Sequence, residues 1–149
     1  MKNLFFLLIG TFLLFFSGCN GNVSVSGKVT FSDDDMPVPG GTICFVSGNN
    51  AMRGRINEDG TYVMGMTTGK GGIPKGDYDV YFLGTEAVAG FHPTEPGHEP
   101  EPKYVSYVDT KFLSASTSGL TVKIEGKTIN LDFKVDRNPN FPKGKKLSP

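Results

Sequence analysis

The chain has 149 residues, and its 15 basic and 15 acidic side chains give a formal net charge of zero at pH 7. This length suits one domain of ordinary size with a real hydrophobic core. The balanced charge provides no electrostatic surface of the kind that nucleic acids require, so no nucleic-acid partner is expected. With only two cysteines, the chain does not have the composition of a disulfide-rich fold.

Residues 1–18 have the pattern of a secretory signal peptide. Lys2 precedes an apolar segment, residues 4–16, which is too short for a comfortable membrane span of about 20 residues. Two small residues, Ser-Gly, then lead directly to Cys19. If Cys19 has no special role, the segment is either an ordinary signal peptide with an incidental cysteine or an uncleaved anchor.

The order Phe-Ser-Gly-Cys at the end of this segment resembles the lipobox of bacterial lipoproteins. The resemblance implies that residues 1–18 are removed, that Cys19 is lipidated, and that residues 19–22 form a short tether. The membrane, contacted through acyl chains on Cys19, is therefore the first expected partner. Asn20 stands where an aspartate would favour retention in the inner membrane, so the family rule places the protein in the cell envelope, at the outer membrane.

After the tether, the chain is predicted to consist of short β-strands. Hydrophobic and polar residues alternate with a period of two, which is typical of strands that bury one face. Turn signals such as Asp59-Gly60 and Pro74-Lys75-Gly76 separate these segments. No segment shows the pattern of an amphipathic helix. The alternation covers residues 23–31, 43–46, 62–66, 77–82, 120–125 and 129–136.

About seven short strands at this spacing predict an all-β fold, a single antiparallel seven-stranded β-sandwich over residues 23–136. The last two strands, in LTVKIEGKTINLDFKV, are predicted to form a hairpin around Glu125-Gly126. The segment HPTEPGHEPEP, residues 92–102, is predicted to be an exposed loop because of its four prolines. Residues 137–149 are predicted to be a flexible polar tail.

Three segments together resemble the transthyretin-like or carboxypeptidase-regulatory-like domains. They are GKVTFSDDDMPVPGGTICFVS (27–47), RGRINEDGTYVMG (53–65) and IPKGDYDVYF (73–82). The resemblance implies a prealbumin-like, Greek-key sandwich, and it implies an architecture more than an activity. The hydrolase branch of this family has a Tyr-Arg-Gly-Ser ending and active-site histidines, and this chain has neither, so no enzymatic activity is expected.

Few residues offer chemistry for a site. The two histidines, His92 and His98, lie with glutamates in the proline-rich loop, where they could bind Zn²⁺ or Cu²⁺ weakly; a solvated acidic loop is the simpler alternative. Asp33-Asp34-Asp35 is predicted to be a solvated turn and not a Ca²⁺ site, because three consecutive side chains diverge. Cys44, within TICFV, is predicted to be a small buried hydrophobic residue.

These patterns predict a non-enzymatic, lipid-anchored cell-envelope protein with a binding or structural role and no cofactor. Besides the membrane, its expected partner is an envelope protein or a polysaccharide. The alternative function is a periplasmic carrier or sensor that binds a small ligand or a metal through the 91–104 loop.

Overall fold

The computed structural model describes residues 21–65, 71–141 and 143. The predicted signal peptide, Cys19, and the predicted strand end at Met66 lie outside these residues. Helical structure among them is limited to a 3-10 turn, Thr110–Leu113, and a single helical turn, α1, Ala115–Ser118. The strands are β1 Ser24–Phe31, β2 Gly41–Ser47, β3 Asn50–Ile56, β4 Thr61–Val63, β5 Gly76–Leu83, β6 Glu86–Phe91, β7 Pro102–Ser106, β8 Leu120–Ile124, β9 Thr128–Asn130 and β10 Phe133–Val135.

Eight of the strands form one curled sheet in the order β10-β1-β4-β3-β2-β5-β8, in which β9 also pairs with β1. The curl brings distant strands face to face, since the ring of Phe45 in β2 packs edge-on against Phe133 in β10 with centroids 6.1 Å apart. Tyr62 in β4 lies beside both rings. The two halves of the curled sheet therefore enclose the core, and the predicted all-β sandwich is confirmed.

The pairing of the last strands differs from the prediction. β8 pairs with β5, whereas β9 and β10 pair with β1 in parallel, so the sandwich is not wholly antiparallel and LTVKIEGKTINLDFKV is not a hairpin. Gly126, with φ of 86°, instead turns the chain from one half of the sheet to the other. The alternation of residues shows which face of a strand is buried, but it carries no information about the strand beside it.

The core is built from the inward-facing residues of the sandwich strands, as the alternation predicts. Burying one such side chain contributes about 1.5–3 kcal/mol. The aromatic rings meet near the centre of the core in tilted or edge-on contacts, which are the favoured geometries. The largest fully buried side chains are Tyr62, Phe31, Phe45, Phe82, Ile43, Ile56, Met64, Ile73 and Ile124.

An interruption between β9 and β10 separates what was predicted to be one strand. The Leu131 carbonyl lies against Gly27 of β1 and accepts a hydrogen bond of 2.7 Å from the Tyr62 hydroxyl. The Asp132 carboxylate takes the place of a backbone acceptor and receives the Lys28 amide at 2.8 Å. The Leu131 amide also donates to the Ser26 carbonyl at 2.8 Å, so both backbone groups of Leu131 have partners. Burial also raises the pKa of the Tyr62 hydroxyl.

The folded part of the chain continues beyond the predicted boundary at residue 136. The Asn138 amide donates to the Tyr107 carbonyl at 2.9 Å. The buried ring of Phe141 packs edge-on against the Tyr107 ring, with centroids 5.0 Å apart. The tail predicted from residue 137 therefore begins later than predicted, because the buried Asn138 and Phe141 attach this segment to the sandwich. Residues 142 and 144–149 lie outside the described residues.

Candidate interaction surface

β6 and β7 form a two-stranded sheet of their own, separate from the curled sheet. At the base of this hairpin, the Tyr107 amide donates to the Thr85 carbonyl at 2.6 Å, and both residues are buried against the sandwich. Its inner face packs on the core through Ala87 and Val105, which lie opposite each other in the two strands. The sandwich therefore holds the hairpin in place from one side only.

The outer face of the hairpin is apolar. Val88 lies opposite Tyr104, and Phe91 lies opposite Pro102. Residues 102 and 104 share one face of β7, so all four side chains are on the same side of the hairpin. The exposed fractions are 44% for Val88, 63% for Phe91 and 58% for Tyr104, which are large values for apolar side chains. We call these four residues the outer hairpin face.

A β-bulge between Val88 and Gly90 creates this surface. Val88 and Phe91 are three positions apart, so in a regular strand they would point to opposite faces. The bulge adds one residue to β6 and returns Phe91 to the side of Val88. Phe91 would otherwise turn toward the sandwich side. The distortion of the β6 backbone therefore keeps the Phe91 ring exposed to solvent.

The loop that joins β6 to β7, residues 92–101, is exposed throughout, as predicted. The two strands beside it were not predicted, and β7 includes Pro102, the last residue of the predicted loop. The His92 amide donates to the Glu101 carbonyl at 2.9 Å. The His98 amide donates to the Glu95 carbonyl at 3.2 Å, which closes a turn at the end of the loop. The carboxylates of Glu95, Glu99 and Glu101 form no ion pair with any described residue.

His92 and His98, the candidate metal ligands, are both exposed in this loop. Within the described ranges, no group of three or more His, Cys, Asp or Glu side chains lies close enough to hold a metal ion. The structure thus adds no third ligand to the two histidines. Their assignment as a weak metal site stays a prediction.

The three aspartates that follow β1 are held in ion pairs within the sandwich. The Lys143 and Arg137 side chains donate to the Asp33 carboxylate and lower its pKa to about 2. The turn is exposed, as predicted, and in addition its carboxylates are paired with cations of the same chain. The pairs are Asp33 with Arg137 and Lys143, Asp34 with Arg137, and Asp35 with Lys134, at 2.7–3.3 Å.

Of the two cysteines, only Cys44 lies among the described residues. Cys44 is a fully buried free thiol in β2, between Arg53 and Tyr81 of the neighbouring strands. Burial raises the pKa of the Cys44 thiol, which disfavours the reactive thiolate. Its predicted role as a small buried residue is confirmed. Cys19 lies outside the described residues, and its lipidation stays a prediction.

An open recess of about 660 Å³ lies between the start of β2 and the end of β3. Asp59 on its rim is already engaged, because its carboxylate accepts the Thr61 amide at 3.0 Å and the Thr61 hydroxyl at 2.6 Å. These bonds shape the turn before β4, as the Asp-Gly sequence predicts. The recess is thus formed largely by a structural turn and is a weaker candidate than the outer hairpin face.

Sequence reasoning missed the hairpin, although the signal for it is present. Phe91 and Tyr104 flank the proline-rich loop, and aromatic residues on both sides of an exposed loop favour two paired strands. The bulge breaks the period-two pattern of β6 and conceals the strand.

Comparisons with known proteins give little beyond this architecture. No family model matches the chain, and no curated protein matches it. A DUF3823 family protein from Bacteroides ovatus is similar in structure, with 14% identity, a TM-score of 0.40, and coverage of 78% of this chain and 45% of that one. BcpA, the major pilin subunit of Bacillus cereus, is similar with 16% identity, a TM-score of 0.42, and coverage of 78% and 30%.

This chain spans less than half the length of either solved structure. Similarity at these values carries no conclusion about function. Within the part of the chain that the structure describes, no helix has the length and apolar character of a membrane span.

Proposed function

We propose that this protein is a non-enzymatic, lipid-anchored component of the cell envelope that binds a partner through its outer hairpin face. The sandwich serves as the scaffold, and the envelope partner is a protein or a polysaccharide. The observation that carries the proposal is the bulge that keeps Phe91 beside Val88 and Tyr104 in solvent. A contiguous exposed apolar patch is typical of an interaction site.

The edges of the hairpin support the same proposal. In the described residues, no strand pairs with the outer edge of β6 or of β7. An open edge offers backbone donors and acceptors to an additional strand. An extended partner could therefore combine backbone hydrogen bonds at an edge with apolar contacts on the outer hairpin face. Aromatic side chains could equally stack on the rings of a polysaccharide.

The anchor is the second part of the proposal. The lipobox resemblance supports acylation of Cys19, and each buried acyl CH₂ contributes about 0.8 kcal/mol to membrane binding. One chain holds only marginally, so the two or three chains of a lipoprotein are needed for firm attachment. Tethering confines the hairpin to the membrane surface and raises its effective concentration toward a partner there.

Replacing Cys19 with alanine is expected to move the protein from the membrane fraction to the soluble fraction, because the variant has no thiol to acylate. Fractionation of cells followed by immunoblotting measures the change, and electrophoretic mobility reports the loss of the acyl chains. Ser17→Ala, which keeps a small residue before the cysteine, is the matched control and should remain in the membrane. A Cys19→Ala protein that stays there with unchanged mobility contradicts the anchor.

In-cell photo-crosslinking tests the binding role. A photoreactive residue at Phe91 is expected to give a discrete adduct, whereas the same residue at Val63, an exposed position on β4, should give none. The adduct at position 91 should become weaker in the Cys19→Ala background, since the anchor concentrates the two partners. If positions 91 and 63 give the same pattern, the outer hairpin face is not the binding surface.

The carrier or sensor alternative rests on His92 and His98 in the 91–104 loop. Isothermal titration of the full chain with Zn²⁺ and Cu²⁺ separates the two functions. Heat that disappears in the His92→Ala/His98→Ala double variant would support the carrier. Heat equal to that of buffer, or unchanged in the double variant, would leave the interaction surface as the function of the hairpin.

A further inference from the structure

The acidic cluster that follows β1 and the acidic cluster of the hairpin loop differ in their ion pairs. In the sandwich, Asp33, Asp34 and Asp35 each contact an arginine or a lysine of the same chain. In the hairpin loop, the three glutamates form no ion pair with any described residue, although all are exposed. The negative charge of the loop is therefore available to a partner.

This charge lies at one end of the outer hairpin face. Phe91 is the last strand residue before the loop and Pro102 is the first one after it, so the apolar surface meets the acidic loop directly. Glu86, at the opposite end, is also exposed and lies two positions from Val88 on the same side of β6. Lys103 is the single lysine or arginine among residues 86–106. A binding partner thus meets an apolar strip with an excess of negative charge at its loop end.

We propose that the partner is a protein segment that binds as an extended strand along the hairpin, with apolar side chains on the outer hairpin face and lysines or arginines beside the loop. The inference rests on the proposed function and specifies the chemistry of the partner. Opposite charges across an interface steer the encounter and set the orientation of binding. A membrane of anionic lipids and an acidic polysaccharide would both be repelled by the loop.

The edge of β7 is the better site for the added strand. β6 carries the bulge, which distorts the spacing of its backbone groups. β7 is regular over Pro102–Ser106, and its only proline is the first residue, where a missing donor costs least. A second copy of this chain is a poorer occupant of that edge, because it would bring another hairpin with the same excess of negative charge.

Fluorescence titration of the full chain in detergent tests this inference, and the absence of tryptophan from the chain leaves the signal to the probe. The probe is an acetylated peptide with three lysines followed by a strand in which threonine alternates with valine and one tryptophan. The matched peptide has glutamates in place of the lysines. The lysine peptide is expected to bind saturably with a blue shift, and the glutamate peptide at least tenfold more weakly.

Two variants separate charge from apolar contact. Glu95→Gln/Glu99→Gln/Glu101→Gln keeps the size of the side chains and should weaken binding of the lysine peptide at least tenfold. Phe91→Ser/Tyr104→Ser should have an effect of similar size through loss of the apolar face. Glu58→Gln and Val63→Ser, which alter exposed residues of the sandwich, are the matched controls and should leave binding unchanged.

A third peptide tests the strand itself. Methylation of alternate backbone amides on one edge of the lysine peptide removes its donors to β7, and the affinity is expected to fall at least tenfold. Equal binding of the methylated peptide would overturn strand addition.

Equal binding of the lysine and glutamate peptides would overturn the inference that the partner is cationic. Binding of the lysine peptide that is unaffected by the triple glutamine variant would overturn it too. So would failure of the lysine peptide to bind, even if position 91 still crosslinks in cells. Loss of that crosslink is the separate failure of the proposed function.

Discussion

Replacing Gly27 with alanine is expected to destabilise the sandwich by about 3–5 kcal/mol, because the new methyl group has no space. A Cβ built on Gly27 would lie 1.8 Å from the Leu131 carbonyl oxygen, and this neighbour is backbone that cannot rotate away. The oxygen is also held by the Tyr62 hydroxyl at 2.7 Å. Chemical denaturation of the purified chain measures the loss as a lower midpoint.

Gly40→Ala is the matched control for this substitution. A Cβ at Gly40 meets no atom within 4 Å, and the residue does not have positive φ. Its stability should change by no more than about 1 kcal/mol, in the stabilising direction if the unfolded chain loses entropy. Equal stabilities of the Gly27→Ala and Gly40→Ala proteins would show that the Leu131 backbone can move, and that the break between β9 and β10 is not a fixed feature.

The close approach at Gly27 also explains part of what the sequence could not predict. Ile129, Leu131, Phe133 and Val135 alternate without interruption, and the pattern alone favours a single strand. Two side chains produce the break at Leu131. Tyr62, which is distant in sequence, takes the Leu131 carbonyl as its acceptor, and the Asp132 carboxylate accepts from the Lys28 amide in place of a backbone carbonyl. Such exchanges depend on which strands are neighbours, and local alternation does not contain that information.

Burial was the most predictable property, because each strand reports its own inward face. The predicted inward residues of β1 and β5, among them Val25, Val29 and Val80, are fully buried. Pairing was predicted less well, since β9 and β10 join β1 rather than β8. The register and the partner of a strand are set by contacts between residues far apart in sequence. β1 and β10 pair in space although nearly the whole domain sequence lies between them.

The candidate surface was hidden for a related reason. A bulge needs only one extra residue, and that residue removes the alternation by which a strand is recognised. The same residue places Phe91 on the outer hairpin face. The bulge that forms the outer hairpin face is thus also the feature that conceals β6 from a search for alternation.

Arg137 is the residue of the predicted tail with the largest expected contribution to stability. Its side chain is only 9% exposed, and its guanidinium lies 3.7 Å from the centre of the buried Phe31 ring. From there it reaches the Asp34 carboxylate at 2.7 Å and the Asp33 carboxylate at 3.3 Å. A planar cation between an aromatic ring and two carboxylates combines a cation–π contact with directed hydrogen bonds.

Replacing Arg137 with alanine is expected to lower the free energy of unfolding by about 3 kcal/mol, because it uncovers the Phe31 ring and leaves two adjacent carboxylates short of a cation. Arg137→Lys should recover less than half of the loss, since an ammonium group lacks the planar fork. Lys123→Ala breaks the exposed pair of Lys123 and Glu125 and should leave the denaturation midpoint unchanged. Equal midpoints for Arg137→Ala and Lys123→Ala would show that the stability of the fold does not depend on the contacts of Arg137.

The pH dependence of the Arg137→Ala effect identifies the electrostatic part of it. The Asp33 carboxyl has a folded-state pKa of about 2 against 3.8 without its partners, so its stabilising contribution is fully present above that ordinary value. The contribution is lost as the pH falls through the folded-state pKa and the carboxylate becomes protonated. The difference in unfolding free energy between the natural chain and Arg137→Ala should therefore shrink between about pH 4 and about pH 2. A difference that stays constant over this range would show that the effect comes from packing of the guanidinium on Phe31 and not from its pairing with Asp33.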